Sequence, residues 1–167
     1  MDNAPILTPD PGPTASGLTS HELDAVRARR ASLSRAASTL KEVLRTPQET
    51  GVPVRAGILL GAVVGLADVW ATHSEQTGGP DGVLAQVLTD CPRLAPAIAR
   101  LRREHVEVSV ALATARRQLE ALPADAGTDP ATGVPALTAA LTAVERHRRD
   151  GRTLLHDAYQ VDLGLGE

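Results

Sequence analysis

Apolar side chains recur every three or four residues along four long stretches of this chain, the spacing that gathers them on one face of an α-helix. Amphipathic helices joined by short connections are typical of an antiparallel four-helix bundle, so the pattern predicts an all-α fold. The predicted helices cover residues 19–45, 54–76, 92–122 and 135–162, and a short extra helix over 82–89 lies between the second and the third.

Helix-breaking residues separate these stretches. Thr19 and Glu22 have the spacing of a capping box at the start of the first helix, and the run Gly78-Gly79-Pro80 ends the second. The proline-rich residues 1–18 predict a flexible tail. Residues 19–164 are then expected to form the bundle domain.

The composition favours closely packed helices. Trp70 and Tyr159 are the only aromatic residues, so the core must be built from alanine, leucine and valine. With so few rings, a platform for stacking a flavin or a nucleobase is not expected. The formal net charge of −3 offers no general attraction to nucleic acid or to an anionic membrane, and neither is expected as a partner.

Cysteine usage and hydropathy bear on the compartment. Cys91 is the single cysteine, which excludes a disulfide framework and favours a reducing cytoplasm. The N-terminus lacks the basic and apolar regions of a signal peptide. The apolar stretch 56–71 is interrupted by glycines and Asp68 and is too short to span a bilayer, so it predicts a buried helix.

Three of the five histidines interrupt the apolar helix faces. At about 100° per residue, His73, His105 and His147 point towards the interior on the second, third and fourth predicted helices. His156 lies about 180° from His147 and faces solvent. Glu22 is the carboxylate nearest the centre of the first helix's apolar face.

This set has two interpretations. Three neutral imidazoles and a carboxylate suit zinc or non-haem iron. Each ring would then need a partner for its second nitrogen, for which Thr77, Gln76 and Asp157 are candidates. Alternatively, each histidine is a core residue that forms a hydrogen bond across the bundle without any metal.

The depth of each histidine along the bundle does not decide between the metal site and the metal-free core. In antiparallel packing His105 and His147 are level with each other, roughly 20–24 Å from the end where Glu22 and His73 lie. His73 meets the other two only if the third and fourth helices project beyond the first and second. The sequence leaves this open.

A cation on the inner face of the first helix complicates the metal interpretation. Arg29 or Arg30 lies near the level of His105 and His147, and a guanidinium cannot lose its proton to accommodate a bound cation. The side chain could extend towards solvent, pair with a buried carboxylate such as Glu104, or face a pocket that holds an anion. These alternatives also stay open.

Several segments resemble actinobacterial hemerythrin-like proteins, the HHE cation-binding family. The resemblance touches all four predicted helices and the corner segment. The segments are HELDAVRARRASL (21–33), THSEQTGGPDGVLAQVLTDCPRL (72–94), LRREHVEV (101–108) and RHRRDGRTLLHDAYQVDLG (146–164). It implies a four-helix bundle that binds non-haem iron between its helices, with His73, His105 and His147 at ligand positions.

Three positions depart from the family pattern. Thr77 stands where the family has a glutamate, Ser109 where it has a second histidine, and Arg152 where it has an aspartate, for which Asp150 and Asp157 are displaced candidates. In addition, no residue of the first helix matches a histidine ligand at the expected depth. A di-iron centre cannot be assembled from what remains. The resemblance therefore implies a degenerate member that holds one metal ion or none. Together with the inward-facing residues, it leads to the hypothesis of a single iron or zinc ion held by the three histidines and Glu22.

Three functions follow from these observations. The first is a hemerythrin-like protein whose metal ion binds a small ligand such as O2 or NO. The second is a metal-free helical interaction module with a degenerate site. The third is an enzyme on a small anionic substrate, gathered by Arg29 or Arg30, with His105 or His147 as general base. Since no nucleophile triad or nucleotide-binding fingerprint is present, a non-enzymatic role is favoured.

Overall fold

The structure, a computed structural model, describes residues 20–46, 52–121 and 133–159. The regular elements in these residues are helices. The all-helical prediction is confirmed for these residues, and the predicted tail 1–18 lies outside them. The elements are α1 (Ser20–Arg45), α2 (Val52–Gly78), α3 (Val83–Asp90), a 3₁₀ turn (Pro92–Leu94), α4 (Ala95–Glu120) and α5 (Val134–Tyr159).

The third long helix begins later than the sequence predicted. Pro92–Leu94 forms a 3₁₀ turn that is closed by a hydrogen bond from the Leu94 N–H to the Cys91 carbonyl (2.9 Å), and the α-helix starts at Ala95. Pro96 follows in the first turn of α4. Proline is tolerated there because the first helical turn leaves its N–H groups without intrahelical partners.

Leucine, valine and alanine fill the interior, as the composition predicted. The larger cluster is built by α1, α2, α4 and α5, and its members Leu66, Leu112 and Val144 are at most 1% exposed. A smaller cluster, which includes Leu84 and Leu154, joins α3 to α4 and α5. Since almost no aromatic ring is available, close approach of small side chains supplies the packing.

Polar side chains interrupt this core at the boundary between the two clusters. On α4, Glu104 and His105 come between Leu101 of the smaller cluster and Val108 of the larger one. On α5, His147 lies in the corresponding position after the last residue of the larger cluster. The fold therefore has a thin polar layer between two apolar regions.

Contacts between α4 and α5 join positions in opposite sequence order. Arg100 Nε lies 3.9 Å from Asp150 Oδ2 at one end of the series, and Arg146 lies 3.1 Å from Glu107 at the other. Residue numbers therefore fall along α5 as they rise along α4. This order places position 147 beside position 104.

The apolar segment that includes α2 is longer than the stretch 56–71, which the sequence predicted to be too short to span a bilayer. Val54–Asp90 is a candidate membrane span among the described residues by length and composition, with 22% of its most apolar window buried. A single such segment is weak evidence, because the core helix of a bundle passes the same test. Leu59, Leu66 and Trp70 of α2 belong to the core, so packing against the other helices accounts for that face.

Candidate metal centre

The three histidines that the sequence singled out converge at one point. His73 comes from α2, His105 from α4 and His147 from α5, and one ring nitrogen of each lies within 4.8 Å of the others. His105 and His147 are 8% and 4% exposed, and His73 is partly buried. His73 thus reaches the level of the other two, which the sequence had left open.

The separation of two of these rings suits a metal ion. His73 Nε2 lies 3.2 Å from His147 Nε2. Two nitrogens that bind one tetrahedral zinc at about 2.0–2.1 Å are about 3.3 Å apart, so this pair needs little movement to bind an ion. Without an ion, the same approach is a hydrogen bond in which one imidazole donates and the other accepts.

Glu104 orients His147 from the opposite side of its ring. Its Oε2 lies 3.1 Å from His147 Nδ1, and the two side chains are 5% and 4% exposed. As a carboxylate it accepts the Nδ1–H, which leaves the lone pair of His147 on Nε2, the nitrogen that faces His73. Carboxylates commonly support metal-binding histidines in this way, setting the ring orientation and raising the ligand's basicity.

Thr77 has a similar, looser relationship with His73. Its Oγ1 lies 3.5 Å from His73 Nδ1, and a hydroxyl can both donate and accept. When His73 Nε2–H donates to His147, Thr77 donates to Nδ1. When Nε2 is free to bind a metal, Nδ1–H donates to Thr77. Moving one proton on His73 therefore converts the chain of hydrogen bonds into a pair of metal-binding nitrogens.

His105 is held by packing. Its Nε2 is buried without a hydrogen-bond partner, which is uncommon for a buried polar atom. The ring lies over the end of α2, where a Cβ on Gly78 would be 2.8 Å from His105 Nδ1. Gly78, which the sequence marked only as part of a helix breaker, also provides the space for this imidazole.

Trp70 packs against all three imidazoles. Its ring centroid lies 5.3 Å from that of His73, 5.7 Å from that of His105 and 5.0 Å from that of His147. Its Nε1–H donates to Ser109 Oγ at 3.1 Å, and Ser109 in turn donates to the His105 carbonyl at 2.8 Å. The single tryptophan is therefore the apolar wall of the site and a natural spectroscopic reporter of it.

Burial keeps the imidazoles neutral. It lowers the pKa of His73 to about 4 and that of His147 to about 3, and the proximity of His105, whose protonated form would repel theirs, adds a smaller contribution. The pKa of His105 is also lowered, mainly by burial and secondarily by Arg102. Neutral imidazole is the form that binds a metal ion, so protons do not compete near neutral pH.

The pKa of Glu104, which contacts His147, is shifted in the opposite direction. Burial raises the pKa of Glu104, and the nearby Asp150 adds to this effect, while Arg146 and Arg100 oppose it. A positive ion on the histidines would favour the ionised carboxylate. Neutral imidazoles and an ionised Glu104 would suit a bound cation, whereas the nearby Arg29 and Arg30, which also lower the pKa of His73, would repel it.

The sequence singled out the three histidines that the structure brings together, and one of the residues expected to support them. Thr77 lies beside His73 as predicted, whereas Gln76 is exposed and the backbone carbonyl of Asp157 accepts from Arg93 at 3.1 Å. Glu22 lies on α1, but its side chain is outside the described part, so its ligand role stays a prediction.

Glu104 was not predicted as the partner of His147. The sequence treated it only as a possible ion-pair partner of Arg29 or Arg30, and no such pair is found among the described residues. Its position three residues after Leu101 on the apolar face of α4 was the available signal.

Comparison with known proteins provides no relative. No family model, no curated protein and no solved structure matches this chain. The function therefore has to be argued from the geometry and chemistry of the site.

Proposed function

We propose that this chain is a hemerythrin-like metal-binding protein, an antiparallel four-helix bundle that holds a single iron or zinc ion through His73, His105 and His147. The observation that carries the proposal is the convergence of the imidazoles from three separate helices, with one nitrogen of each within 4.8 Å. An isolated core histidine needs one hydrogen-bond partner. Three that meet at one point supply one face of a tetrahedral or octahedral ion.

The chemistry of the surroundings supports the same proposal. Imidazole nitrogen suits iron, zinc and other first-row transition metals better than magnesium or calcium. The rings are neutral, Glu104 backs His147, and the buried Nε2 of His105 would gain a partner from the ion.

The residues around the histidines favour one ion over two. At the positions where the resemblance expects further ligands, Thr77 lies beside His73, Ser109 bonds to Trp70, and Arg152 lines a neighbouring cavity. None of these supplies the carboxylate or imidazole that a second ion requires. We propose Glu22 of α1 as a further ligand of this single ion.

A three-histidine ion with an exchangeable position would bind a small molecule, for which we propose O2 or NO at iron. A cavity of about 80 Å³ borders His73 and His147 and would admit a molecule of this size. The ion would supply the coordination chemistry, while Trp70 and the surrounding leucines would limit access of water.

Elemental analysis of protein purified without an affinity tag, together with an absorption spectrum, tests the proposal. We expect about one iron or zinc ion per chain. His147→Gln should abolish most of this binding, whereas His156→Gln, an exposed position on the same helix, should retain it. Chelation should lower the Tm, because a ligand present at 100 times its Kd stabilises the folded state by about 2.7 kcal/mol.

A content well below one ion per chain that does not rise on loading, together with a Tm insensitive to chelator, would favour the metal-free interaction module instead. Circular dichroism of the metal-free His147→Gln protein shows whether that variant folds. Gly78→Ala keeps every ligand and provides an independent test.

A further inference from the structure

Four arginines line the cavity beside the histidines. Arg29 and Arg30 come from α1, and Arg148 and Arg152 come from α5. No aspartate or glutamate is found among the described residues that border this space. The charged residues that border this cavity of about 80 Å³, among those the structure describes, are therefore all basic.

These guanidinium groups have no carboxylate partner among the described residues. Arg148 donates instead to the hydroxyl of Ser34 at 2.7 Å. Burial lowers the pKa of Arg30, and the nearby charges of Arg152 and Arg148 add to this effect. An anion between them would relieve this repulsion and accept their N–H groups.

The rest of the wall is hydrocarbon. The apolar lining residues include Val26, Leu33, Leu84, Leu101, Leu154 and Leu155. An inorganic oxyanion would satisfy the arginines but would leave this surface without an apolar partner. A carboxylate with a short aliphatic chain would satisfy both, since its oxygens match the guanidinium fork and its chain gains from burial.

The size of the cavity limits the length of that chain. A cavity of about 150 Å³ lined by leucine, isoleucine and phenylalanine accepts benzene, which has six carbons. A space of about 80 Å³ accordingly accommodates fewer atoms.

We propose that this cavity binds a small monocarboxylate of about three to five carbons, with its carboxylate held by Arg30 and Arg152 and its chain against the leucines. This site does not require the proposed metal ion. It also gives a binding role to the inner arginine of α1, for which the sequence left three alternatives open.

Calorimetric titration of chelator-treated, metal-free protein with propionate at low salt tests the proposal. We expect propionate to bind saturably. Propionamide, which has the same shape without the charge, should bind with an affinity about tenfold lower or weaker still. Arg30→Met and Arg152→Met should each weaken propionate binding about tenfold. The controls are Arg27→Met on α1 and Arg149→Met on α5, exposed positions outside the cavity that should leave binding unchanged.

Equal binding of propionamide and propionate, or unchanged affinity in both cavity variants, would overturn the proposal. Inorganic phosphate that binds as tightly as propionate and depends on the same arginines would overturn the assignment to a monocarboxylate. Arg152 is exposed, so its substitution is expected to leave the fold intact. Because the titration uses metal-free protein, its failure would not count against the metal site.

Discussion

His147 Nδ1 and Glu104 Oε2 lie 3.1 Å apart in a part of the core where neither side chain is more than 5% exposed. A buried carboxylate is costly unless it is compensated. The nearest cation, Arg100, approaches it only to 4.0 Å. A metal ion on the far side of the His147 ring would add compensation through the imidazole.

Glu104→Gln should weaken metal binding by about 10–100-fold. The amide oxygen still accepts the Nδ1–H of His147, but it carries no charge to strengthen the ligand. Titration against a competing chelator measures the change. Glu107→Gln, at an exposed position on the same helix, is the matched control and should bind metal like the wild type. Equal affinity in both variants would show that Glu104 does not act on the site.

Gly78→Ala should disturb the centre while keeping all of its ligands. The new methyl group would lie 2.8 Å from Nδ1 and 3.1 Å from Cε1 of His105, so the ring has to move away. We expect lower metal content and a weaker metal affinity, measured on the purified variant. Wild-type affinity would contradict the packing of His105 described above.

Gly65→Ala is the control for that substitution. It lies on the same helix, and a Cβ there meets nothing within 4 Å. Alanine is favoured over glycine in a helix interior by about 0.5–1 kcal/mol, so Gly65→Ala should raise the Tm and leave metal binding unchanged.

The helical architecture was accessible from the sequence because the apolar period is long and regular. The stripe through Leu101, Val108 and Leu112 needs no tertiary information to predict a helix face, and these residues are buried. The α-helix begins one turn later than the predicted start near Pro92, because a proline at position 92 suits a 3₁₀ turn as well as the first turn of an α-helix.

The candidate site could be predicted only in part from the sequence. Helical phase identified which histidines point inward, because phase depends on spacing alone. Their mutual depth depends on how the helices slide along one another, and only the structure places His73 Nε2 3.2 Å from His147 Nε2. Glu104 was missed for the same reason: its partner lies 43 residues away on another helix.

Trp70 fluorescence should change when the site binds a metal ion. The indole is the only one in the chain, and its ring lies 5.0–5.7 Å from the three imidazole rings. Titration with Co²⁺, which accepts the same nitrogen ligands as zinc, should give a saturable change at about one ion per chain. His147→Gln should abolish this change and His156→Gln should preserve it. A non-saturable response in the wild type would count against a discrete site.

Acid should destabilise the metal-free protein through the histidine cluster. In the folded protein, burial lowers the pKa of His73 to about 4 and that of His147 to about 3, whereas an unfolded histidine titrates near about 6.5. As the pH falls, the unfolded state therefore takes up protons first. The stabilisation is complete above about pH 6.5 and is lost as the pH falls towards these folded values. The lowered pKa of His73 alone corresponds to a loss of roughly 3 kcal/mol in the free energy of unfolding once the pH is below its folded value.

Urea unfolding of the metal-free protein between about pH 7 and pH 4 measures this loss as a decrease in the free energy of unfolding. His147→Gln should show a shallower decrease, because one of the shifted imidazoles is gone, while the exposed His156→Gln should follow the wild type. The raised pKa of Glu104 stabilises the folded state in acid and therefore offsets part of the decrease at the low end. A pH dependence that is identical in the wild type and His147→Gln would mean that the buried cluster is not what makes the fold sensitive to acid.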